Sequence, residues 1–218
     1  MSKLRVSSFA ISIDAGIDLP SLGYECVKHV AGVRVMHVMK LRAAFIAFAI
    51  FGVQASSVRA VVTQLTPAGF LVTLDARIAG SPDRLYRALV GQVGEWWNAE
   101  HTYSGDSRNL SIDARPGGCF CERLPNGGGV EHLRVIYVKP GEMLRMSGAL
   151  GPLQASAVAG TMTWTLAAAG AATTVNLSYA VGGFRDGGFP AVAPAVDGVL
   201  SEQLQRLKRF VETGKPAA

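Results

Sequence analysis

The sequence predicts an α+β domain in which a curved antiparallel sheet wraps around one long C-terminal helix. Residues 159–167 and 173–181 each alternate between apolar and polar side chains, which is the pattern of half-buried strands. A short Gly-containing segment joins them as a tight turn. Residues 190–212 carry apolar side chains at helical spacing. An antiparallel sheet with such a helix on one face is typical of α+β domains.

The other elements follow from patterns earlier in the chain. Residues 70–78 alternate as a first strand, and Ser81-Pro82-Asp83 after them begins a helix with a capping serine and a proline in the first turn. A second short helix is predicted over residues 94–99. Four more strands are predicted at 109–113, 119–124, 130–138 and 143–147. Because such a sheet curls around the helix, any unfilled gap between them is an apolar cavity.

The composition is that of a globular protein without a basic surface. Of 218 residues 49% are hydrophobic and 17% are charged, which suits one domain with a sizeable core. The formal net charge is +5, but residues 1–60 hold seven Lys/Arg against three acids, and the remainder holds 14 against 13. A nucleic-acid-binding domain needs a concentrated positive charge, so we expect no nucleic-acid partner.

Residues 39–60 have the pattern of a secretory signal peptide. Lys40 and Arg42 precede an apolar run at 43–53, and small residues suited to cleavage follow. The run is shorter than the ~20 apolar residues that span a membrane, so no stable span is expected after cleavage. A buried helix or an uncleaved anchor is the alternative interpretation. The pattern therefore predicts a periplasmic or secreted protein.

Residues 1–38 show no sustained periodicity in front of this segment. Met36 and Met39 would each place a start directly before the basic residues. We therefore expect residues 1–38 to be a non-native or disordered upstream extension, and residues 61–218 to form the domain.

Cys119 and Cys121 are the two cysteines within the predicted domain. Side chains two residues apart on a strand point the same way, but they stand too far apart for a disulfide unless the backbone bends. The partners of a zinc site are lacking, and we predict no metal site. We expect two small buried side chains, with a reactive thiol as the alternative.

Glu122, His132 and Arg134 are the polar group that suggests chemistry. If the hairpin is symmetric about Gly127, Glu122 lies opposite His132, and such a pair can act as acid and base on a bound ketone or ester. The other face of this hairpin carries Cys119, Cys121, Leu133, Val135 and Tyr137 and has the more apolar character. This register therefore places Glu122 and His132 in solvent, and a shift by one residue reverses the assignment.

Aromatic side chains are the predicted ligand contacts, because they offer large apolar area with a polar handle. They are Trp96, Trp97, Tyr137, Trp164, Tyr179 and Phe184. Core packing is the alternative for the tryptophans, and Phe184 lies among glycines that suggest a mobile segment before the last helix. His101, Tyr103 and Asp106 either rim a pocket mouth or belong to a solvated loop. No phosphate loop, nucleophile elbow or triad spacing is present, so no cofactor is predicted.

The element order and several short motifs resemble the SRPBCC (START/Bet v 1-like) superfamily. The motifs are Ser81-Pro82-Asp83, Glu95-Trp96-Trp97, Pro116-Gly117-Gly118 and Val138-Lys139-Pro140-Gly141. Within the superfamily, the chain is most similar to bacterial Hsp90 ATPase activator homologues and polyketide cyclases, and residues 148–154 and 196–200 resemble an exported branch of that group.

The resemblance implies a helix-grip fold across residues 70–213. It also implies an exported protein that binds or carries a small hydrophobic molecule in an internal apolar cavity. One alternative is a cavity enzyme of the polyketide cyclase/dehydratase type that uses Glu122 and His132. The other is a protein-interaction module whose core is filled by its own side chains.

Overall fold

The computed structural model describes residues 59–217, which form an antiparallel sheet, two short helices and one long C-terminal helix. The eight strands follow the order β1-β2-β8-β7-β6-β5-β4-β3 across the sheet. The predicted extension and nearly all of the predicted signal peptide lie outside the described residues. Within the described part of the chain, no helix is long and apolar enough to cross a membrane.

The elements have the following bounds. The strands are β1 (Arg59–Thr66), β2 (Gly69–Ala79), β3 (Leu110–Ile112), β4 (Cys119–Arg123), β5 (Gly129–Lys139), β6 (Met143–Ser147), β7 (Ala157–Ala169) and β8 (Ala172–Phe184). The helices are α1 (Pro82–Gly91), α2 (Val93–Trp96) and α3 (Val192–Thr213). Short 3₁₀ turns lie at Ala99–His101, Ser107–Asn109, Pro125–Gly127 and Gly151–Ala155.

The predicted fold class is confirmed, with β1 as an additional edge strand. Helix α1 begins as its sequence indicates, because the Ser81 hydroxyl oxygen accepts the Arg84 N–H at 3.3 Å. β1 pairs antiparallel with β2, but its register shifts between Val62 and Gln64. This irregularity interrupts the alternation by which a strand is recognised in sequence.

The core lies between the inner face of the sheet and α3. Alternate residues of β2 and β8, such as Leu74 and Leu177, are fully buried, as are Leu204 and Leu207 on α3. The polar residues between them face solvent. The apolar side chains along one side of α3 therefore cover the sheet, as their helical spacing predicts.

A β-bulge in β5 determines which side chains face inward near the site. Phe120 of β4 pairs with Leu133 of β5, but the next residue of β4, Cys121, pairs with Glu131. His132 therefore has no partner on β4 and is the extra residue of the bulge. The symmetric hairpin is therefore wrong, since Glu122 pairs with Val130.

The bulge brings His132 inside the domain. His132 and Leu133 are consecutive, yet both are buried, and Glu122 is buried on the opposite strand. Arg134 stays outside, where its guanidinium contacts the Glu131 carboxylate. The expectation that Glu122 and His132 lie in solvent is therefore wrong.

A second register shift, between Val135 and Tyr137, turns the other half of β5. Val135 is buried, whereas Ile136 and Tyr137 are both exposed. The assignment of Tyr137 to the buried face of the hairpin is wrong for this reason.

Cys119 and Cys121 form a disulfide on the outer face of β4 and are half-buried. Their Cα atoms are 5.4 Å apart, whereas an ideal strand separates such residues by about 6.7 Å. The backbone contracts at the register shift between Phe120 and Cys121. The expectation of two buried free thiols is therefore wrong, because the contracted backbone of β4 brings the two side chains within reach of a disulfide.

We expect this disulfide to contribute about 1–2 kcal/mol to the free energy of unfolding, because it closes a very short loop. Urea unfolding with and without dithiothreitol measures the contribution. The double substitution Cys119→Ser and Cys121→Ser is the control, and its midpoint should not respond to the reductant. A wild-type midpoint equally insensitive to reductant would contradict the prediction.

Candidate ligand-binding cavity

A cavity of about 450 Å³, partly open to solvent, lies between the first half of α3 and the β4–β5 end of the sheet. Its lining residues come from the end of α2 and the loop after it, from β4 and β5, from the loop after β6, and from α3: Trp97 and Glu100–Tyr103, Phe120 and His132, Leu150–Pro152, and Val192, Ala195, Val196, Val199 and Leu200. Most of this lining is apolar. Counted from Val192, the α3 residues stand at positions i, i+3, i+4, i+7 and i+8, so they form one stripe of the helix that faces the cavity.

Aromatic rings form the wall opposite α3. The rings of Trp97 and Phe120 meet edge to face at a centroid distance of 5.2 Å. The Phe120 ring also packs on His132 at 4.9 Å, and the Tyr103 ring stacks on His132 at 5.9 Å. These contacts hold the imidazole ring in one orientation within the apolar wall.

Glu122 lies behind this wall and forms a buried pair with His132. The Nε2 atom of His132 lies 2.9 Å from Oε2 of Glu122, and the two residues are 6% and 2% exposed. The carboxylate also accepts the backbone N–H groups of Tyr103, at 3.1 Å, and of Ser104. Glu122 thus joins the imidazole to the loop that carries Tyr103.

The charge state of this pair follows from burial and hydrogen bonding. Burial alone raises the pKa of Glu122, but hydrogen bonds from Ser104, Tyr103 and His132 together hold that pKa below its ordinary value. Burial lowers the pKa of His132, and the Glu122 carboxylate opposes this only in part. At neutral pH, Glu122 is therefore ionised and His132 is neutral.

These charge states determine which imidazole nitrogen carries the proton. An ionised carboxylate can only accept, so the proton of the neutral imidazole lies on Nε2. The other nitrogen, Nδ1, is then an acceptor, and no hydrogen bond to it is found within residues 59–217. His132 lines the cavity, so Nδ1 is the ring nitrogen left for a hydrogen bond with a bound molecule.

We expect stability to fall in two steps as the pH decreases. The unfolded chain protonates His132 near its ordinary pKa of 6.5, whereas the folded pKa is lower, so the free energy of unfolding declines as the pH drops below 6.5. The contribution of Glu122 is present above its ordinary pKa of 4.5 and is lost as the pH falls through the lower folded pKa.

Urea unfolding from about pH 7.5 to well below pH 4.5 measures both steps. A His132→Gln variant should lose the upper step and keep the lower one. An unchanged upper step in this variant would contradict the assignment to His132.

Polar residues of α3 attach the loop after α2 to the helix. Glu202 accepts the Asn98 side-chain amide at 2.6 Å and contacts Nε2 of His101 at 3.0 Å. Gln203, fully buried, accepts the Asn98 backbone N–H at 2.8 Å, and the Trp97 indole donates to the His101 carbonyl at 3.1 Å. These bonds position the rim of the cavity.

Two tyrosines position the opposite rim. The Tyr103 hydroxyl donates to the Gly151 carbonyl at 3.0 Å, across the mouth of the cavity. The Tyr179 hydroxyl donates to the Gly148 carbonyl and accepts the Leu150 N–H, both at 3.1 Å. Burial raises the pKa of Tyr179 to about 12, so this hydroxyl keeps its proton. A Cβ atom at Gly160 would lie 2.7 Å from the Tyr179 ring, so the site needs glycine there.

The structure brings only some of the predicted contact residues to the cavity. Trp97 lines it, whereas Trp96 and Trp164 pack against each other in the core at 6.5 Å. Tyr179 does not line the cavity but holds its rim through the hydrogen bond with the Leu150 N–H. Tyr137 and Phe184 are 43% and 74% exposed and do not line the cavity.

Sequence reasoning did not identify Phe120 or the α3 residues Val196 and Val199 as part of the cavity. The alternation of side chains along β4 places Phe120 and Glu122 on the same face of the strand, so the sequence pattern was sufficient to group these two residues. His101 and Tyr103 do rim the cavity, as one interpretation of their loop predicts. No group of His, Cys, Asp or Glu side chains within residues 59–217 is arranged to hold a metal ion.

The structure is similar to several solved structures at low sequence identity. A conserved protein of unknown function from Enterococcus faecalis matches with a TM-score of 0.52 and 18% identity, over 74% of this chain and 80% of that chain. CalU16 from Micromonospora echinospora matches with a TM-score of 0.47 and 13% identity, over 72% and 85%. The Aha1 dimer from Colwellia psychrerythraea matches with a TM-score of 0.48 and 18% identity, over 66% and 98%.

No protein-family model matches the sequence, and no curated protein matches it significantly. The structural similarity at this level of identity shows the fold alone. Taken with the order of the eight antiparallel strands and the position of α3, it shows a helix-grip fold, in which an antiparallel sheet wraps around a long C-terminal helix.

Proposed function

We propose that this protein binds a small, largely apolar molecule in the cavity between α3 and the sheet. The observation that carries the proposal is an apolar cavity of about 450 Å³ whose wall includes His132, a histidine that bonds Glu122 through Nε2 and leaves Nδ1 for another partner. Small-molecule sites have volumes of roughly 300–1,000 Å³ and are mostly apolar with a few polar groups that set orientation. An interaction module with a filled core does not account for this cavity.

We also propose that the protein is exported from the cytoplasm. It would then belong to an exported bacterial branch of the Hsp90 activator homologues and polyketide cyclases. The signal-peptide pattern at residues 39–60 supports it, and so does the Cys119–Cys121 disulfide, since disulfides persist in oxidising compartments. Cleavage after Ala55 would leave β1 whole. Cleavage after Ala60 would remove Arg59 and Ala60, which pair with Asp75 and Leu74, so we favour a mature chain that begins at Ser56.

Native mass spectrometry of the protein exported by a Gram-negative host tests binding and export together. The expected spectrum shows a chain beginning at Ser56 with a noncovalent adduct that is released when the same sample is denatured. A processed chain without any adduct would argue against binding. A chain that still begins at Met1 would argue against export.

The buried Glu122–His132 pair favours a second candidate, acid–base catalysis on the bound molecule. His132 Nδ1 would accept a proton from a carbon next to a carbonyl or from a hydroxyl group, while Glu122 stabilises the resulting imidazolium. This arrangement suits a cyclase, dehydratase or isomerase.

The molecule recovered from the protein distinguishes the two candidates. A carrier should release the same compound from the wild type and from a His132→Gln variant, with a change only in occupancy. An enzyme should release product from the wild type and unconverted substrate from the variant. The released compounds can be compared by mass and chromatography, which separates isomers of equal mass.

A further inference from the structure

We propose that the ligand presents a hydrogen-bond donor, such as a hydroxyl group, to His132 and carries no negative charge. This inference rests on the proposed binding function and specifies the chemical class that the cavity accepts. The inference follows from two observations: Nδ1 of His132 is a hydrogen-bond acceptor, and the charged side chains around the cavity are acidic.

The acceptor at Nδ1 selects for a donor. Glu122 holds the proton of His132 on Nε2, and the rings of Phe120 and Tyr103 prevent the imidazole from turning over freely. A ligand hydroxyl can donate to Nδ1 and keep the hydrogen bond that it made with water. A ligand ether or ketone oxygen at the same place meets a second acceptor, and both groups then lose their hydrogen bonds with water.

The charges near the cavity are negative. Glu100 lies on the rim, Glu202 contacts the rim residue His101, and Glu122 lies behind His132. None of the residues that line the cavity is Lys or Arg. A carboxylate or phosphate bound there would be desolvated beside these groups without a cation to pair with it.

The test uses three naphthalene derivatives of nearly equal size: β-naphthol, its methyl ether and β-naphthoate. Isothermal titration of the exported protein at neutral pH gives a dissociation constant for each. β-Naphthol should bind about three- to tenfold more tightly than the ether, which corresponds to one net hydrogen bond. β-Naphthoate should bind at least about tenfold more weakly than β-naphthol, because its charge has no partner.

A His132→Phe variant serves as the specificity control, because it keeps an aromatic ring and removes Nδ1. In this variant the preference for β-naphthol over the ether should disappear. Should the variant fail to fold, the comparison of the three compounds on the wild type still decides the inference.

The outcomes separate the inference from the proposed function. Equal affinity for β-naphthol and its ether, or tight binding of β-naphthoate, would overturn the inference while binding in the cavity stands. Absence of binding by all three compounds would count against both.

Discussion

Replacing Glu122 with alanine is expected to lower the free energy of unfolding by about 2–4 kcal/mol. The carboxylate accepts hydrogen bonds from the backbone of Tyr103 and Ser104 and from His132. Alanine removes all three acceptor contacts at once in a place where Glu122 is only 2% exposed. Donors left without partners in a buried site carry most of the cost.

Urea unfolding followed by circular dichroism measures this loss, and Glu131→Ala is the matched control. Glu131 lies on the neighbouring strand, but its contact with Arg134 is exposed, so its removal should cost at most about 1 kcal/mol. Hydrogen exchange should also show faster exchange at the Tyr103 and Ser104 amides in Glu122→Ala. Equal losses in the two variants would contradict the role assigned to Glu122.

Replacing Val199 with tryptophan is expected to weaken ligand binding strongly and leave the domain folded. Val199 lies on the stripe of α3 that lines the cavity, and its side chain is half-buried. A larger ring there can extend into the cavity and occupy the space that the ligand needs. We expect affinity for β-naphthol to fall by at least about tenfold, because apolar contact area supplies most of the binding free energy.

Gln205→Trp is the matched control for this substitution. Gln205 is exposed on the same helix and does not line the cavity, so the variant should bind as the wild type does. Thermal unfolding of both variants checks that the fold is retained. Undiminished binding by Val199→Trp would place the ligand elsewhere on the protein.

Side-chain periodicity was sufficient to predict most of the fold. Thr163 and Thr165 alternate with Trp164 as β7 requires, and Ser81 caps α1 as its sequence indicates. β1 was missed because its register shift between Val62 and Gln64 breaks the alternation. Local pattern is therefore informative wherever the backbone is regular.

The candidate site was predicted less completely because it depends on an irregularity. Glu122 and His132 were identified as a pair by residue type, but the bulge at His132 places them inside, against the symmetric register. No short-range pattern at residues 130–134 marks the position of the extra residue. Whether the α3 stripe meets the sheet or leaves a gap depends on packing across the whole core, which periodicity does not describe.

A crystal structure of the protein grown with β-naphthol tests the central claim most directly. The account predicts density for the ring between the Trp97–Phe120 wall and α3, with the hydroxyl oxygen within hydrogen-bond distance of His132 Nδ1. A cavity filled by the protein's own side chains, with the compound absent or bound outside the cavity, would contradict it.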